Sequence, residues 1–244
     1  MALLNDQDRQ FLEEHLGNTM EQPVRLLYFT QTLACQFCQE TEQVLREVEA
    51  LSDKITLEVY NLVTDKDMAE SYGVNKIPAT VVRSDVDYGV RFYGIPSGYE
   101  FTSLVEAIVD VSTGSTELDD ETLAELERID DDVHLQVFVT PTCPYCPTSV
   151  RAAHSLAVAS PKVRADMVES IEFPHLANKY GVQGVPRTII NETTMVEGAL
   201  PEQLLVAYIL KAQGLLSEEE VEALIEDLDV ETEDEALLDD DTLI

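Results

Sequence analysis

The sequence predicts an α/β protein built from two tandem copies of one unit, each a mixed sheet of four or slightly more strands flanked by helices. Three observations support this prediction. The chain has 244 residues, enough for two domains of about 100 residues each. Two CxxC pairs begin at Cys35 and Cys143, and the segments YGVNKIPAT and YGVQGVPRT, which begin at Tyr72 and Tyr180, recur at the same interval. Within each copy, apolar patterns in the order βαβ and then ββα indicate strands that pair both parallel and antiparallel.

The spacing within each copy supports a true repeat. The separation of Pro78 from Cys38 equals that of Pro186 from Cys146. An apolar strand pattern, VRLLYF or VHLQVFV, precedes each CxxC pair. The first copy carries a two-residue insertion between this strand and its cysteines. The two copies therefore share one order of elements and differ in one loop.

The elements of each unit follow from periodicity and from turn residues. An opening helix leads to the apolar strand, and the CxxC pair begins a long helix. A second strand follows, then a short helix that ends at YGV, two further strands and a closing helix. The predicted bounds are 6–16 and 119–130 for the opening helices, 55–60 and 163–168 for the second strands, and 79–84, 90–94 and 99–111 for the last three elements of the first unit.

The boundary between the units is predicted in the segment STGSTELDD, where small polar residues and acids interrupt the apolar pattern. The first unit then spans residues 1–116, and the second spans residues 117–216. Gly214 closes the last helix of the second unit.

Residues 217–244 form an acidic tail with 14 acids and no base. Ser217 and Glu220 have the spacing of a capping box, which predicts a short helix. Acids dominate beyond Leu228, and we expect disorder there. A solvated or weakly docked tail and a dedicated partner helix are both consistent with this pattern.

The net charge of the chain is −33, from 48 acids and 15 bases. Such a field repels nucleic acids and anionic membranes, so we expect neither as a partner. No apolar run approaches the roughly 18 residues of a membrane span, and the N-terminus lacks the pattern of a secretory signal. These observations predict a cytoplasmic protein.

All four cysteines belong to the two CxxC pairs, Cys35/Cys38 and Cys143/Cys146. In a cytosolic chain such pairs are usually catalytic or metal-binding rather than structural. A shared zinc site would need both pairs to converge, whereas separate units hold them apart and zinc ribbons space their pairs by about 15 to 20 residues. We therefore expect a working dithiol in each unit and no metal. A redox-inert or zinc-binding scaffold is the alternative outside the enzyme class.

The chemistry of the second pair follows from its predicted position at a helix start. With Cys143 at the N-cap, Pro144 occupies the first helical position, where its missing N–H costs nothing. The free N–H groups and the positive end of the helix lower the pKa of the Cys143 thiol and make it the attacking sulfur. Cys146 lies in the first turn and would then resolve the mixed disulfide.

The peptides Ile77–Pro78 and Val185–Pro186 are the predicted substrate-binding positions. X-Pro bonds can be cis at modest cost, and a cis proline at the head of a strand holds the preceding backbone open to pair with a substrate strand. The spacing alone leaves cis and trans open. Arg187 would either bring a cation near the Cys143 thiolate and tune its pKa, or be an ordinary surface arginine.

The sequence does not locate a proton acceptor. Neither strand before a CxxC pair carries an acid that would be buried beside the thiols. His154 follows Cys143 within the length of the same predicted helix, where a packed or surface histidine is favoured over a ligand or a general base. Proton transfer must therefore use a group from elsewhere in the chain.

Taken together, the motifs resemble a known family. TPTCPYCP with YGVQGVP, CQFC with YGVNKIPAT, and the segments GVRFYGIPSGYEF and DMVESIEFP are similar to the protein disulfide oxidoreductases of thermophilic prokaryotes, also called glutaredoxin-like proteins. CPYC is also similar to the glutaredoxin motif. The resemblance covers the chain from Met1 to Leu216 and leaves the acidic tail as an addition.

The resemblance implies two thioredoxin folds in one chain and thiol-disulfide exchange on protein substrates. It also implies that the C-terminal pair is the more active, and that electrons come from NADPH through a flavoprotein thioredoxin reductase, with no cofactor bound to the chain. Carried over by residue, the nucleophiles are Cys143 and Cys35, the resolving cysteines are Cys146 and Cys38, and the cis prolines are Pro186 and Pro78.

The predicted function is thus a protein disulfide oxidoreductase that makes, breaks or shuffles disulfides through two centres. An electron carrier dedicated to a peroxiredoxin is the alternative within the enzyme class. The longer first loop and the heavier acidity depart from the family. They leave the Cys35/Cys38 centre either active or reduced to a vestigial or regulatory role.

Overall fold

A computed structural model describes residues 4–33 and 35–238 of the chain, with side chains as far as Leu228. The elements follow the predicted order in both units. The helices are α1 (Asp6–Thr19), α2 (Cys38–Glu49), α3 (Lys66–Ser71), α4 (Glu100–Thr113), α5 (Asp120–Glu127), α6 (Cys146–Ala159), α7 (Pro174–Lys179), α8 (Glu202–Ala212) and α9 (Glu218–Leu238). The strands are β1 (Val24–Thr30), β2 (Ile55–Asn61), β3 (Ala79–Arg83), β4 (Val90–Tyr93), β5 (Val133–Val139), β6 (Val163–Glu169), β7 (Arg187–Ile190) and β8 (Thr194–Glu197).

The strands form one mixed sheet in the order β2-β1-β3-β4-β6-β5-β7-β8. In each unit the first strand pairs parallel with the second and antiparallel with the third, which pairs antiparallel with the fourth. The predicted fold class is confirmed for both units. The units join where β4 pairs parallel with β6, from Val90 opposite Ala165 to Tyr93 opposite Val168. This junction, which the sequence did not predict, makes one continuous sheet.

The pairing directions place both CxxC pairs at the same end of the sheet. Strands β1, β4, β6 and β5 all run in one direction. The end at which they terminate is called the carboxyl end below. Because the two cysteine pairs follow β1 and β5, both centres lie at the carboxyl end.

Helices cover the sheet unequally. Leu45 of α2, Ile108 of α4 and Val150 of α6 pack into a large core on one face, which we call the α6 face. Ala69 of α3 and Leu176 of α7 pack into a smaller core on the other, the α7 face. Each CxxC helix therefore lies on the α6 face. In the part of the chain that the structure describes, no helix has both the length and the apolar character needed to cross a bilayer.

The tail helix is longer than predicted. Ser217 and Glu220 form the expected capping box, with the Glu220 N–H donating to Ser217 Oγ at 3.3 Å and the Ser217 N–H donating to Glu220 Oε2 at 2.8 Å. Val221 is buried where α9 packs against α8. Helix α9 then continues beyond Leu228 to Leu238, which agrees with the strong helix propensity of Glu, Ala and Leu in this segment. The predicted disorder is therefore wrong for residues 229–238. For residues 239–244 it lies outside the described residues.

The predicted boundary between the units falls between α4 and α5. Helix α4 ends at Gly114, which has the left-handed φ of 66° that glycine adopts without strain. Helix α5 begins after Asp119, whose side chain accepts from the N–H of Thr122. It ends at Glu127, short of the predicted residue 130, and the acids at 130–132 are unfavourable at the negative end of a helix. The division at residue 116 remains a prediction within this connection.

A buried ion pair lies close to the junction of the units. Asp166 of β6 is fully buried, with His134 Nε2 2.7 Å from its Oδ2 and Arg164 Nε 2.9 Å from its Oδ1. Burial by itself raises the pKa of Asp166, but the hydrogen bond with His134 and the charge of Arg164 outweigh it and hold that pKa well below its ordinary value. The carboxylate is thus charged and compensated inside the fold.

Replacing Asp166 by asparagine should lower the free energy of unfolding by about 3 kcal/mol, the low end for breaking a buried pair, because it leaves the partly buried guanidinium of Arg164 uncompensated. Asp85→Asn is a matched control with the same charge change. Asp85 pairs with Arg25 but is 90% exposed, so the loss should stay below about 1 kcal/mol. Since the pKa of Asp166 is depressed by folding, its contribution is present above the ordinary carboxyl pKa and is lost as pH falls below it. Urea unfolding at neutral and acidic pH measures both effects, and equal losses in the two variants would contradict this account.

Candidate active site

Each CxxC pair forms its own disulfide at the carboxyl end of the sheet. Cys35 is bonded to Cys38 and Cys143 to Cys146, and the Cα atoms of both pairs are 5.5 Å apart. The structure therefore brings together the cysteines that the repeat paired. The shared four-cysteine site that zinc would require is not formed in this arrangement.

The catalytic helices begin later than the sequence predicted. Helix α6 starts at Cys146, and the residue before it is Tyr145, so Cys143 is not the N-cap. Pro147 fits this late start, because it lacks the N–H that would bond to the Cys143 carbonyl in a helix starting at Pro144. It is not the general reason, since Gln39 occupies the same place in the first unit. Helix α2 likewise starts at the second cysteine, Cys38. Both first cysteines lie in the turn just before the helix and still face its positive end.

The two sulfurs of each pair differ in access to solvent. Cys143 keeps 8% of its surface exposed, and Cys146 has none. In the first unit Cys35 is partly exposed and Cys38 is 5% exposed. In both units it is therefore the first cysteine that an incoming disulfide can reach.

The predicted prolines lie beside the cysteines. The bonds Ile77–Pro78 and Val185–Pro186 are both cis in the structure. The Sγ of Cys143 lies 3.7 Å from the carbonyl oxygen of Val185. The carbonyls of the two prolines accept equivalent bonds, from Gly94 N–H to Pro78 and from Gly198 N–H to Pro186, both at 3.0 Å. The repeat thus extends to the backbone around each centre.

The structure gives no support to tuning of Cys143 by Arg187. Strand alternation puts Arg187 on the same side of β7 as Ile189, which packs into the core of the α7 face. Its Nη1 donates to the carbonyl of Gly181 at 3.3 Å, and its Nη2 lies 3.7 Å from Glu197. The guanidinium charge of Arg187 is therefore paired on the α7 face, on the opposite side of the sheet from α6.

A buried carboxyl that the sequence analysis missed lies beside the second centre. Glu100 is 1% exposed, and Ser103 Oγ donates to its Oε2 at 2.7 Å, while its Oε1 has no hydrogen-bond partner. Burial raises the pKa of Glu100 to about 7, although the bond from Ser103 partly opposes this. An acid on the apolar face of a helix was the available signal in the sequence.

Helix packing places Glu100 near Cys146. Helices α4 and α6 lie side by side, with Glu106 of α4 3.7 Å from Arg151 of α6. Further towards the carboxyl end, Thr102 faces Pro147 across a small cavity. The same register puts Glu100 level with the start of α6. A buried acid of the first unit thus lies level with the start of the CxxC helix of the second unit.

Glu100→Gln should change two pH profiles. Because folding raises the pKa of Glu100 from its ordinary 4.5 to about 7, the unfolding free energy of the wild type should fall as pH rises between these values. The decline should be smaller in the variant, where Asp110 and Glu172 still contribute. Exchange at the Cys143 centre should slow about tenfold near neutral pH, which is less than the roughly 100-fold or more that a fully engaged general base contributes. Glu106→Gln, on the exposed side of the same helix, is the control, and identical profiles for the two variants would refute a special role for Glu100.

His154 is a packed core residue. It is 2% exposed, its Nε2 donates to the carbonyl of Arg91 at 3.2 Å, and its ring meets Phe92 edge-on. Burial lowers its pKa to about 4. Among the described residues, no group of three or more His, Cys, Asp or Glu side chains is arranged to hold a metal ion.

Comparison with known proteins agrees with this geometry. The family model of the thioredoxin domain matches residues 133–211. The structure of a protein disulfide oxidoreductase from Aeropyrum pernix superposes with a TM-score of 0.79 at 31% identity, covering 87% of this chain and 95% of that one. The N-terminal domain of the alkyl hydroperoxide reductase AhpF from Enterococcus faecalis also superposes with a TM-score of 0.79, at 28% identity, covering 84% of this chain and 99% of that domain.

Curated relatives are longer proteins. An alkyl hydroperoxide reductase component of Pseudomonas aeruginosa is 29% identical over 168 residues, which is 68% of this chain and 30% of that protein. The chain spans 30 to 34% of the length of the curated relatives it matches.

A redox-active dithiol in each of two thioredoxin-like units defines the class of protein, an enzyme of thiol-disulfide exchange. Within that class, the chain belongs to the protein disulfide oxidoreductase family. The resemblance inferred from the motifs is confirmed, as are the fold and the reaction type that it implied.

Proposed function

We propose that both centres exchange disulfides with protein substrates, with Cys143 and Cys35 as attacking sulfurs and Cys146 and Cys38 as resolving ones. The contact between the Cys143 sulfur and the Val185 carbonyl carries this proposal. It places the more exposed sulfur against backbone that can pair with an extended substrate strand.

The reaction follows from this order of attack. The Cys143 thiolate attacks one sulfur of a substrate disulfide, a mixed disulfide forms, and the first substrate thiolate leaves and takes up a proton. Cys146 then loses its proton and attacks Cys143, which releases the second substrate thiolate and leaves the enzyme disulfide. Two electrons have passed to the substrate, and the reverse sequence forms a substrate disulfide.

Exposed apolar side chains next to the centres support protein substrates. Tyr145, inside the CPYC motif, is 70% exposed, and Ile171, in the loop after β6, is 65% exposed. In the first unit, Leu33 is 79% exposed and Val63 is 70% exposed. Val63 and Ile171 occupy equivalent positions of the repeat. Apolar side chains kept in solvent at both centres provide contact area for segments of partly unfolded proteins.

Trapping of mixed disulfides tests the assignment. Cys146→Ser and Cys38→Ser, reduced beforehand, should each accumulate a covalent adduct with disulfide-bonded insulin, because the attacking sulfur remains and the resolving one is gone. Cys143→Ser and Cys35→Ser should accumulate none at the altered centre. Mass spectrometry of thiol-blocked, unreduced samples reads the adducts, and adducts on Cys146 or Cys38 instead would reverse the proposed roles.

A second candidate is an electron carrier for a peroxiredoxin. The relatives named as alkyl hydroperoxide reductase components favour it. Electrons would then come from NADPH through a flavoprotein thioredoxin reductase, with no cofactor held by the chain itself. NADPH consumption with such a reductase, measured with a peroxiredoxin plus peroxide and separately with insulin, separates the two candidates.

We also propose a cytoplasmic location, supported by cysteines used in redox pairs rather than long-range bridges.

A further inference from the structure

Two glutamates of the second unit lie between the two centres. Across the carboxyl end of the sheet, neighbouring strands align Pro78, Gly94, Glu169, Val139 and Pro186 in one row. Adjacent strands are about 4.8 Å apart, so Glu169 stands roughly 10 Å from the proline of either centre. Strand alternation directs its side chain to the α6 face, where both catalytic helices lie.

The backbone of the first unit packs closely against these two glutamates. Gly94 has a φ of 98°, and a Cβ there would lie 2.5 Å from the Cβ of Glu169 and 3.0 Å from Oε1 of Glu172. The N–H of Ile95 donates to that same oxygen of Glu172 at 2.6 Å. The N–H of Gly94 in turn donates to the carbonyl of Pro78. Glu172 is therefore joined through two adjacent peptide groups to the substrate-binding proline of the Cys35–Cys38 centre.

Each glutamate keeps one buried oxygen without a partner. Glu169 is 2% exposed, and its Oε2 accepts from the Glu172 N–H at 2.6 Å, while its Oε1 has no hydrogen bond. The Oε2 of Glu172 is likewise buried and unpartnered. A buried carboxylate oxygen without a donor is costly, and a proton on it relieves the cost. The pair is thus suited to hold a proton at near-neutral pH.

Electrostatic coupling connects Glu172 to the start of α2. Burial raises the pKa of Glu172 to about 7, and the charges of Glu169 and Glu40 add to the effect. The hydroxyl of Tyr28 donates to the Cys38 carbonyl at 2.6 Å. Burial raises the pKa of Tyr28 to about 12, with contributions from Glu42 and Glu172. The titratable groups of the described residues that face Glu172 are thus acids: Glu169 from β6, Glu40 from α2 and Tyr28 from β1.

We propose that Glu172, a residue of the second unit, holds and returns the proton of the Cys35–Cys38 centre in the first. When Cys38 attacks the mixed disulfide on Cys35, its S–H proton passes to the Glu172 carboxylate as the new S–S bond forms. The bond from Cys35 to the substrate breaks, and the departing thiolate takes the proton back. The Glu172 residue as a whole is only partly buried, although its Oε2 is buried. Water can therefore carry the proton between Cys38 and Glu172. This proposal rests on the proposed function, because it requires that the Cys35–Cys38 centre exchanges disulfides.

The test uses the full chain with Cys143→Ser and Cys146→Ser, which leaves the first centre as the only dithiol. In this parent we add Glu172→Gln, whose amide oxygen can still accept from the Ile95 N–H. The rate of insulin reduction in the parent should show an inflection near pH 7, the pKa of Glu172. In the variant the inflection should disappear, and the rate at neutral pH should fall at least about tenfold.

Glu40→Gln in the same parent is the matched control. It removes an exposed acid near the same helix start and should keep the inflection, moved to slightly lower pH because the Glu40 charge raises the pKa of Glu172. Coincident profiles for the parent and Glu172→Gln would overturn the proposal, as would an equal change in Glu40→Gln. A parent without any exchange would overturn it too, because no proton would then be transferred. In that last case insulin reduction by wild type through Cys143 would leave the enzyme function standing.

Discussion

Cys143→Ser should lower the rate of insulin reduction at least about tenfold, because a serine hydroxyl is not ionised near neutral pH and cannot replace the thiolate. Cys146 cannot take over the attack, since none of its surface is exposed. Turnover with dithiothreitol as electron donor measures the loss. The activity that remains in this variant is the contribution of the Cys35–Cys38 centre.

The equivalent change in the first unit provides the comparison. Cys35→Ser should retain more than half of the wild-type rate if the C-terminal centre dominates, as the family resemblance implies. Cys35→Ser combined with Cys143→Ser should have no exchange above background. A wild-type rate in Cys143→Ser would show that the catalytic centre has been misassigned. A larger loss in Cys35→Ser would reverse the ranking of the two centres.

Local patterns predicted most of each unit. The strand before each CxxC pair, the paired cysteines and the proline at a fixed interval beyond Cys38 or Cys146 all follow from periodicity and repeat spacing within one unit. Alternation along β7 also determines the face of the sheet on which Arg187 lies, because successive side chains of a strand point to opposite faces. Pro147 and its missing N–H also fit the late start of α6, although α2 starts equally late with Gln39 in that place.

The remaining features depend on contacts between the two units, which patterns within one unit cannot predict. The pairing of β4 with β6 joins Val90 to Ala165, and no pattern within either unit specifies it. Glu100 of the first unit lies on α4, which packs against α6 of the second unit, and Glu172 of the second unit accepts a hydrogen bond from the Ile95 N–H of the first. The contacts between the units therefore decide which carboxyls of one unit lie towards the centre of the other.

Gly98→Ala should test how strongly the contact between the β4–α4 loop and Pro141 supports the second centre. Gly98 lies in the loop from β4 to α4 with a φ of 62°, and a Cβ there would overlap the carbonyl oxygen of Pro141. The next residue, Tyr99, donates its N–H to that oxygen at 3.1 Å. An alanine must therefore displace backbone two residues before Cys143. We expect a loss of about 1 kcal/mol from the positive φ and a further 1 to 3 kcal/mol or so from overpacking.

Gly181→Ala separates the two contributions. Gly181 has nearly the same backbone conformation, with a φ of 60°, but a Cβ there would meet nothing within 4 Å. Its variant should lose only the conformational contribution, about 1 kcal/mol, and keep full exchange activity. Gly98→Ala should lose more stability in urea unfolding, and its Cys143 centre should also slow, because the loop from Pro141 and the start of α4 with Glu100 both shift. Equal losses in the two variants would mean that the close approach of the units at Pro141 contributes nothing to the site.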